Sequence, residues 1–92
     1  MAVSKIPYVK GVNEMGLIYP PTNLNDLCKP SDNGFYYVGS GVTNSPADYS
    51  GLIIFARDTG WTVQIAVSTD GTFYTRMKAG SPLVWNSWKH IT

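Results

Sequence analysis

Residues 51–78 contain three short runs rich in β-branched and aromatic residues, and two turn signals separate them. The runs read GLIIFARD (51–58), WTVQIAVS (61–68) and TFYTRMK (72–78). The Thr-Gly pair at 59–60 predicts a two-residue hairpin loop, and Thr-Asp-Gly at 69–71 predicts a three-residue loop with a left-handed glycine. With FYYV (35–38), these runs predict a mostly β fold built on a small antiparallel meander.

The loop lengths also predict which residues face one another across the strands. All the expected pairs lie on the same side of the sheet, and in each pair at least one side chain is small or apolar. The pattern therefore indicates one continuous core face. The expected pairs in the first hairpin are Ala56 with Val63, Ile54 with Ile65 and Leu52 with Val67. Those in the second hairpin are Val67 with Phe73, Ile65 with Thr75 and Val63 with Met77.

The opposite face is expected to mix polar and apolar side chains. Gln64 lies across from Arg76 on one side and from Phe55 on the other, with Ile53 and Tyr74 nearby. A solvated face of an antiparallel sheet does not usually hold such large apolar side chains together. The sequence therefore predicts that this face is covered, by residues 1–33, by the C-terminal tail or by another copy of the chain.

The chain divides into two unequal segments. Residues 1–21 are expected to form an extended lead-in or attachment segment, and residues 22–92 the β domain. One short helical turn is expected near residues 23–27, where Thr22 or Asn23 caps a turn that carries Leu24 and Leu27. Pro30 is expected to end it.

Size and charge limit the classes of function. A chain of 92 residues buries a small core, and the single Cys28 and single His90 provide neither a disulfide nor a zinc site, which leaves oligomerisation as the stabilising device. The net charge of +1 without a basic run indicates no nucleic-acid partner. No apolar run is long enough for a membrane span and the N-terminus has no signal-peptide pattern, so we expect synthesis in the cytoplasm and no membrane insertion.

Catalysis, metals and cofactors are not expected. Hydrolysis of glycosides needs two carboxylates roughly 5–10 Å apart, one of them with a raised pKa. Here four of the six carboxylates, Asp26, Asp32, Asp58 and Asp70, fall at turns, where capping and hydrogen bonds to the local backbone account for them. No Ser/His/Asp order or phosphate-binding loop is present.

Several segments, taken in order, resemble one family. They are NLNDL (23–27), GFYYV (34–38), NSP (44–46), GLII (51–54), VQIA (63–66), TFYTR (72–76) and the closing WNSWKHI (85–91). This order is similar to that of the pyocin-type knob at the C-terminal tips of bacteriophage tail fibres. The resemblance covers residues 22–92, about three quarters of the chain.

The resemblance implies a homotrimeric fibre tip in the virion that binds bacterial surface polysaccharide during host adsorption. It also implies contacts with other tail proteins and no enzymatic activity. The alternative is a purely structural module that trimerises or caps a fibre whose receptor site lies elsewhere.

Six residues are candidates for ligand binding. Asn44, Asp48 and Tyr49 lie in a long loop at 39–51 that supplies polar groups and one ring, and this loop is equally open to being a plain surface crossover. Gln64, Tyr74 and Arg76 are the others. For Gln64 and Arg76 two roles are open, sugar binding or a hydrogen bond across the sheet, and the second is favoured.

The tryptophans are predicted to be structural. Trp85 and Trp88 near the C-terminus offer flat faces on which a sugar would stack, but their position favours closing the β fold from one end. Trp61 is predicted to belong to the core by its place in the strand pattern.

Overall fold

A computed structural model of the chain describes residues 22–91. They form one antiparallel sheet of six strands, in the spatial order β1-β2-β3-β4-β5, with β6 also paired to β4. The strands are β1 (Gly34–Val38), β2 (Ser50–Asp58), β3 (Trp61–Val67), β4 (Phe73–Ala79), β5 (Val84–Trp85) and β6 (Lys89–Ile91). The prediction of a mostly β meander is confirmed, while β5 and β6 were not foreseen. The predicted lead-in at 1–21 lies outside the described residues.

Two short 3-10 turns precede the sheet, at Leu24–Asp26 and Pro30–Asp32. Asn23 caps the first turn, because its Oδ1 accepts a hydrogen bond of 2.9 Å from the backbone N–H of Asn25. The predicted helical turn is therefore confirmed. Pro30 does not simply end it but begins the second turn, where a fixed φ and a missing N–H are tolerated.

The predicted register of the first hairpin is wrong by one residue. Leu52 faces Ala66, Ile54 faces Gln64 and Ala56 faces Thr62, so Gln64 does not face Phe55. The cause is a β-bulge between Ala56 and Asp58, where the extra residue shifts the pairing along the rest of β2.

The second hairpin has the predicted register, and Gln64 faces Arg76 as expected. As a result, β2 turns its predicted core residues toward the core, whereas β3 and β4 turn toward the core the residues that were predicted for the opposite face. The predicted continuous core face is therefore wrong for both of these strands.

The inner face of the sheet, as we call it, packs against the two 3-10 turns. The core consists of Leu24, Leu27, Tyr36, Val38, Leu52, Ile54 and Ala66. Thr62, Gln64 and Arg76 are buried among these elements. The turns and the C-terminal tryptophans cover Gln64, Tyr74 and Arg76. Ile53 and Phe55, which were predicted to share that covered face, lie exposed on the opposite face, so this part of the prediction is wrong.

The outer face of β1 to β4 is almost entirely apolar. Pairing and alternation place on it Phe35, Tyr37, Ile53, Phe55, Trp61, Val63, Ile65, Val67, Phe73, Thr75 and Met77. Phe55 is 60% exposed and packs edge-on against Trp61, with ring centroids 5.9 Å apart. Trp61 is only partly buried there, so the prediction that it belongs to the core is wrong.

Candidate functional site

Gln64 lies in the middle of β3 with its side chain fully buried on the inner face. Its Nε2 donates hydrogen bonds to the backbone oxygens of Leu24, at 2.7 Å, and Leu27, at 3.2 Å. Its Oε1 accepts a hydrogen bond of 2.8 Å from Arg76 Nε. The predicted hydrogen bond across the sheet is therefore present, and the same amide ties the first turn to the sheet.

Arg76 is a cation enclosed by two aromatic rings. Its Cζ lies 4.1 Å from the ring centroid of Trp85 and 4.7 Å from that of Trp88, and the residue is 6% exposed. Burial lowers the pKa of the guanidinium to about 10, which leaves it charged at neutral pH. Because the quadrupole of an aromatic ring attracts cations, the two indoles replace part of the lost hydration.

The charge on Arg76 has no carboxylate beside it among residues 22–91. The ion pair in that part of the chain joins Arg57 to Asp58, on the surface. Arg76 Nη2 and Trp85 Nε1 are both buried, and neither has a hydrogen-bond partner in the described structure. Tyr74, the third predicted residue of this group, packs against the core, with its ring centroid 6.1 Å from that of His90.

Asn44 connects the 39–49 loop to this buried group. Its Nδ2 donates to Asn23 Oδ1 at 2.8 Å, and its backbone oxygen accepts a hydrogen bond of 2.7 Å from Trp88 Nε1. Its φ of 64° is left-handed, a conformation that asparagine tolerates better than most residues do. Trp88 thus contacts Arg76 with its ring and the loop with its N–H, so it holds Asn44 against the sheet.

Asp48 and Tyr49 lie near the other end of the loop. Asp48 Oδ1 accepts a hydrogen bond of 3.2 Å from the backbone N–H of Gly41, which closes the loop on itself. Tyr49 is 53% exposed and has a φ of 58°. Its hydroxyl makes no hydrogen bond within the described structure. The loop therefore presents an amide, a carboxylate and an accessible ring to solvent.

A shallow pocket that the sequence did not predict lies on the outer face beside β4. It measures about 240 Å³ and is lined by Val63, Thr75, Arg76, Met77, Asn86 and Lys89. The sequence does not single out Asn86 and Lys89, because each is an ordinary surface residue there. The available signal was charge, since residues 73–91 contain three basic residues and no acidic one.

Two classes of site are absent from residues 22–91. No cluster of three or more His, Cys, Asp or Glu side chains is arranged to hold a metal ion there. Within the same residues, no helix has the length and hydropathy needed to span a membrane.

The chain was compared with known protein families, curated proteins and solved structures, and no match was found.

Proposed function

We propose that this chain is the tip of a bacteriophage tail fibre, which assembles as a homotrimer and binds bacterial surface polysaccharide. The proposal starts from the ordered resemblance of residues 22–92 to the pyocin-type knob. One structural observation carries it further: a small sheet buries one face against its own turns and leaves the other face apolar and open in the described structure. In this proposal the chain is located in the virion and contacts other tail proteins.

The outer face has the size and chemistry of an interface between copies of this chain. Phe35, Phe55 and Phe73 are each about half exposed, so they leave roughly 300 Å² of ring surface to solvent. Their aliphatic neighbours raise the apolar area toward the roughly 800 Å² per partner that a stable interface buries. Flat sheets pack face to face through such side chains, and a second copy supplies an identical apolar surface.

Polysaccharide binding is assigned to the 39–49 loop. Asn44, Asp48 and Tyr49 are exposed, and they offer an amide, a carboxylate and a ring of the kind that binds sugar hydroxyls and sugar faces. In this proposal Gln64, Tyr74 and Arg76 do not contact the sugar but support the loop, because Trp88 links Arg76 to the backbone of Asn44. Three copies in one fibre tip make weak single-site binding sufficient through avidity.

The assembly is tested by the mass in solution, measured by light scattering on a sizing column. We expect three times the 10.1 kDa of one chain. Phe55→Ser is expected to shift the mass toward one chain, since it removes an exposed ring from the outer face and no core contact. Thr69→Ser, in the exposed hairpin turn, is the control and keeps the assembled mass. A wild-type mass of one chain contradicts the trimer.

Binding is tested with purified host polysaccharide on a biosensor surface, using the whole chain. Tyr49→Gly removes the ring without strain, because glycine accepts the left-handed φ at this position. We expect it to abolish most of the signal while Thr69→Ser keeps it. A trimer that binds none of the polysaccharides of its host contradicts adsorption and favours the second candidate, a structural module that trimerises or caps a fibre.

A further inference from the structure

The pocket beside β4 exists because the last two strands leave a gap. β5 pairs with Lys78 and Ala79, and β6 pairs with Phe73, Tyr74 and Thr75, so neither strand covers the middle of β4. Asn86 bridges that gap: its backbone N–H donates to Met77 O at 3.0 Å, and its Oδ1 accepts from Met77 N at 2.9 Å. The side chain of Asn86 is thereby fixed at the rim of the pocket.

The pocket combines an apolar floor with unused polar groups. Val63 and Met77 provide apolar contact, as the less polar face of a sugar ring requires. Asn86 Nδ2 and the hydroxyl of Thr75 make no hydrogen bond to other described residues. The ammonium of Lys89, an exposed residue, forms no ion pair in the described structure either.

Charge is distributed unevenly over the described chain. Residues 22–72 contain five acidic and two basic residues, whereas residues 73–91 contain Arg76, Lys78 and Lys89 and no acidic residue. Of these cations, Lys89 lines the pocket with an exposed side chain, whereas Arg76 is buried and Lys78 lies on the inner face of β4. No carboxylate lines the pocket, so the ammonium of Lys89 favours an anion there.

We propose that this pocket binds one anionic sugar unit of the polysaccharide, with the ammonium of Lys89 pairing with its carboxylate or phosphate group. The inference rests on the proposed function, with copies packing through the outer face of β1 and β2 and the Phe73 end of β4, so that the pocket at Thr75 and Met77 stays open. It adds a second contact for the polysaccharide besides the 39–49 loop, and the class of ligand. Asn86 Nδ2 and the hydroxyl of Thr75 bind neighbouring oxygens of the ring. The volume is below the roughly 300–1,000 Å³ of sites for drug-sized ligands, which suits a single sugar unit.

The direct test is a titration of the whole chain, followed by amide and methyl NMR shifts. The probes are methyl glucuronide and methyl glucoside, which differ in one carboxylate, and glucose 1-phosphate. Methyl glucuronide or glucose 1-phosphate is expected to shift the signals of Thr75, Asn86 and Lys89, and the anion that does so identifies the class. The glucoside is expected to bind at least about tenfold more weakly, because it lacks the charge-assisted bond.

A matched pair of charge variants distinguishes binding in the pocket from long-range attraction by the positive charge of this part of the chain. Lys89→Gln is expected to weaken binding of the anionic probe about tenfold, whereas Lys78→Gln, on the inner face of β4, leaves it nearly unchanged. Equal losses in the two variants overturn the pocket, because long-range charge alone then explains binding. Equal binding of glucoside and both anionic probes also overturns it.

An acidic polysaccharide and its carboxyl-reduced form distinguish this proposal from the proposed function. Binding of the acidic form alone, lost in Lys89→Gln, supports both. Equal binding of both forms, unaffected by Lys89→Gln, overturns the pocket and leaves polysaccharide adsorption standing. Probe binding in the pocket without binding to any host polysaccharide supports the pocket and contradicts the adsorption proposal.

Discussion

Replacing Gln64 by leucine is expected to destabilise the fold strongly, although leucine has a similar size and is apolar. The side chain makes three hydrogen bonds inside the protein, two to the backbone of the first turn and one to the guanidinium of Arg76. Leucine leaves Leu27 O and Arg76 Nε without the partners that the amide supplies. Leu24 O keeps the N–H of Leu27 at 3.2 Å, so its loss is smaller.

The magnitude follows from the charges involved. A hydrogen bond to a charged group contributes about 1.5–3 kcal/mol, and an orphaned buried polar group costs about 1–3 kcal/mol. We therefore expect Gln64→Leu to lower the free energy of unfolding by about 3–5 kcal/mol, a large share of the 5–15 kcal/mol typical of small proteins. The guanidinium of Arg76 already has one buried nitrogen, Nη2, without a hydrogen-bond partner. Loss of the Gln64 amide leaves Nε as a second unsatisfied nitrogen on the same buried charge.

The assay is urea unfolding, followed by the fluorescence of the tryptophans that enclose Arg76, at one fixed protein concentration because assembly contributes to stability. Arg76→Met and the double variant complete a double-mutant cycle. The double variant removes the buried charge together with its partner, so it is expected to be more stable than the sum of the two single losses predicts, by about 1–3 kcal/mol. Additive losses, or a loss below about 1 kcal/mol for Gln64→Leu, refute the reasoning.

Three further predictions concern single contacts. A hydrogen bond from Ser68 is the main cause that lowers the pKa of Asp70 to about 2. The ionised carboxylate therefore stabilises the fold above the unfolded pKa of 3.8, and this stabilisation is lost as the pH falls toward 2. A carboxyl-carbon NMR titration gives the midpoint, and Asp70→Asn removes this acid-dependent loss. Trp88→Phe keeps a ring near Arg76 but removes the N–H that binds Asn44 O; hydrogen exchange in the 39–49 loop is expected to quicken, and unchanged exchange contradicts the anchoring role. Asn33→Ala removes two hydrogen bonds to the backbone at the β-bulge, at 2.6 and 3.1 Å, and is expected to cost about 2 kcal/mol in urea unfolding.

The sequence was sufficient for the first four strands and the first turn, but not for the last two strands or for the faces of the sheet. Gly71, with a φ of 86°, set the second hairpin as predicted. The first hairpin failed because a bulge adds one residue without leaving a glycine or proline to mark it, and Asn33, which holds it through Ala56, is 23 residues away. Likewise, pairing between Gln64 and Arg76 follows from local spacing, whereas the bonds from Gln64 to the first turn span about 40 residues.

The observed register changes which face of the sheet carries the large apolar side chains and needs to be covered. In β3 the buried positions are Thr62, Gln64 and Ala66, while Val63, Ile65 and Val67 are the ones left partly open. A lone sheet with one solvated face has the reverse pattern, with the larger apolar side chains inside. In this chain the first turn and two indoles cover Gln64 and Arg76 on the inner face, and the hydrophobic effect on the outer face is left to act between molecules. A partner with a matching apolar sheet, such as another copy, removes that surface from water.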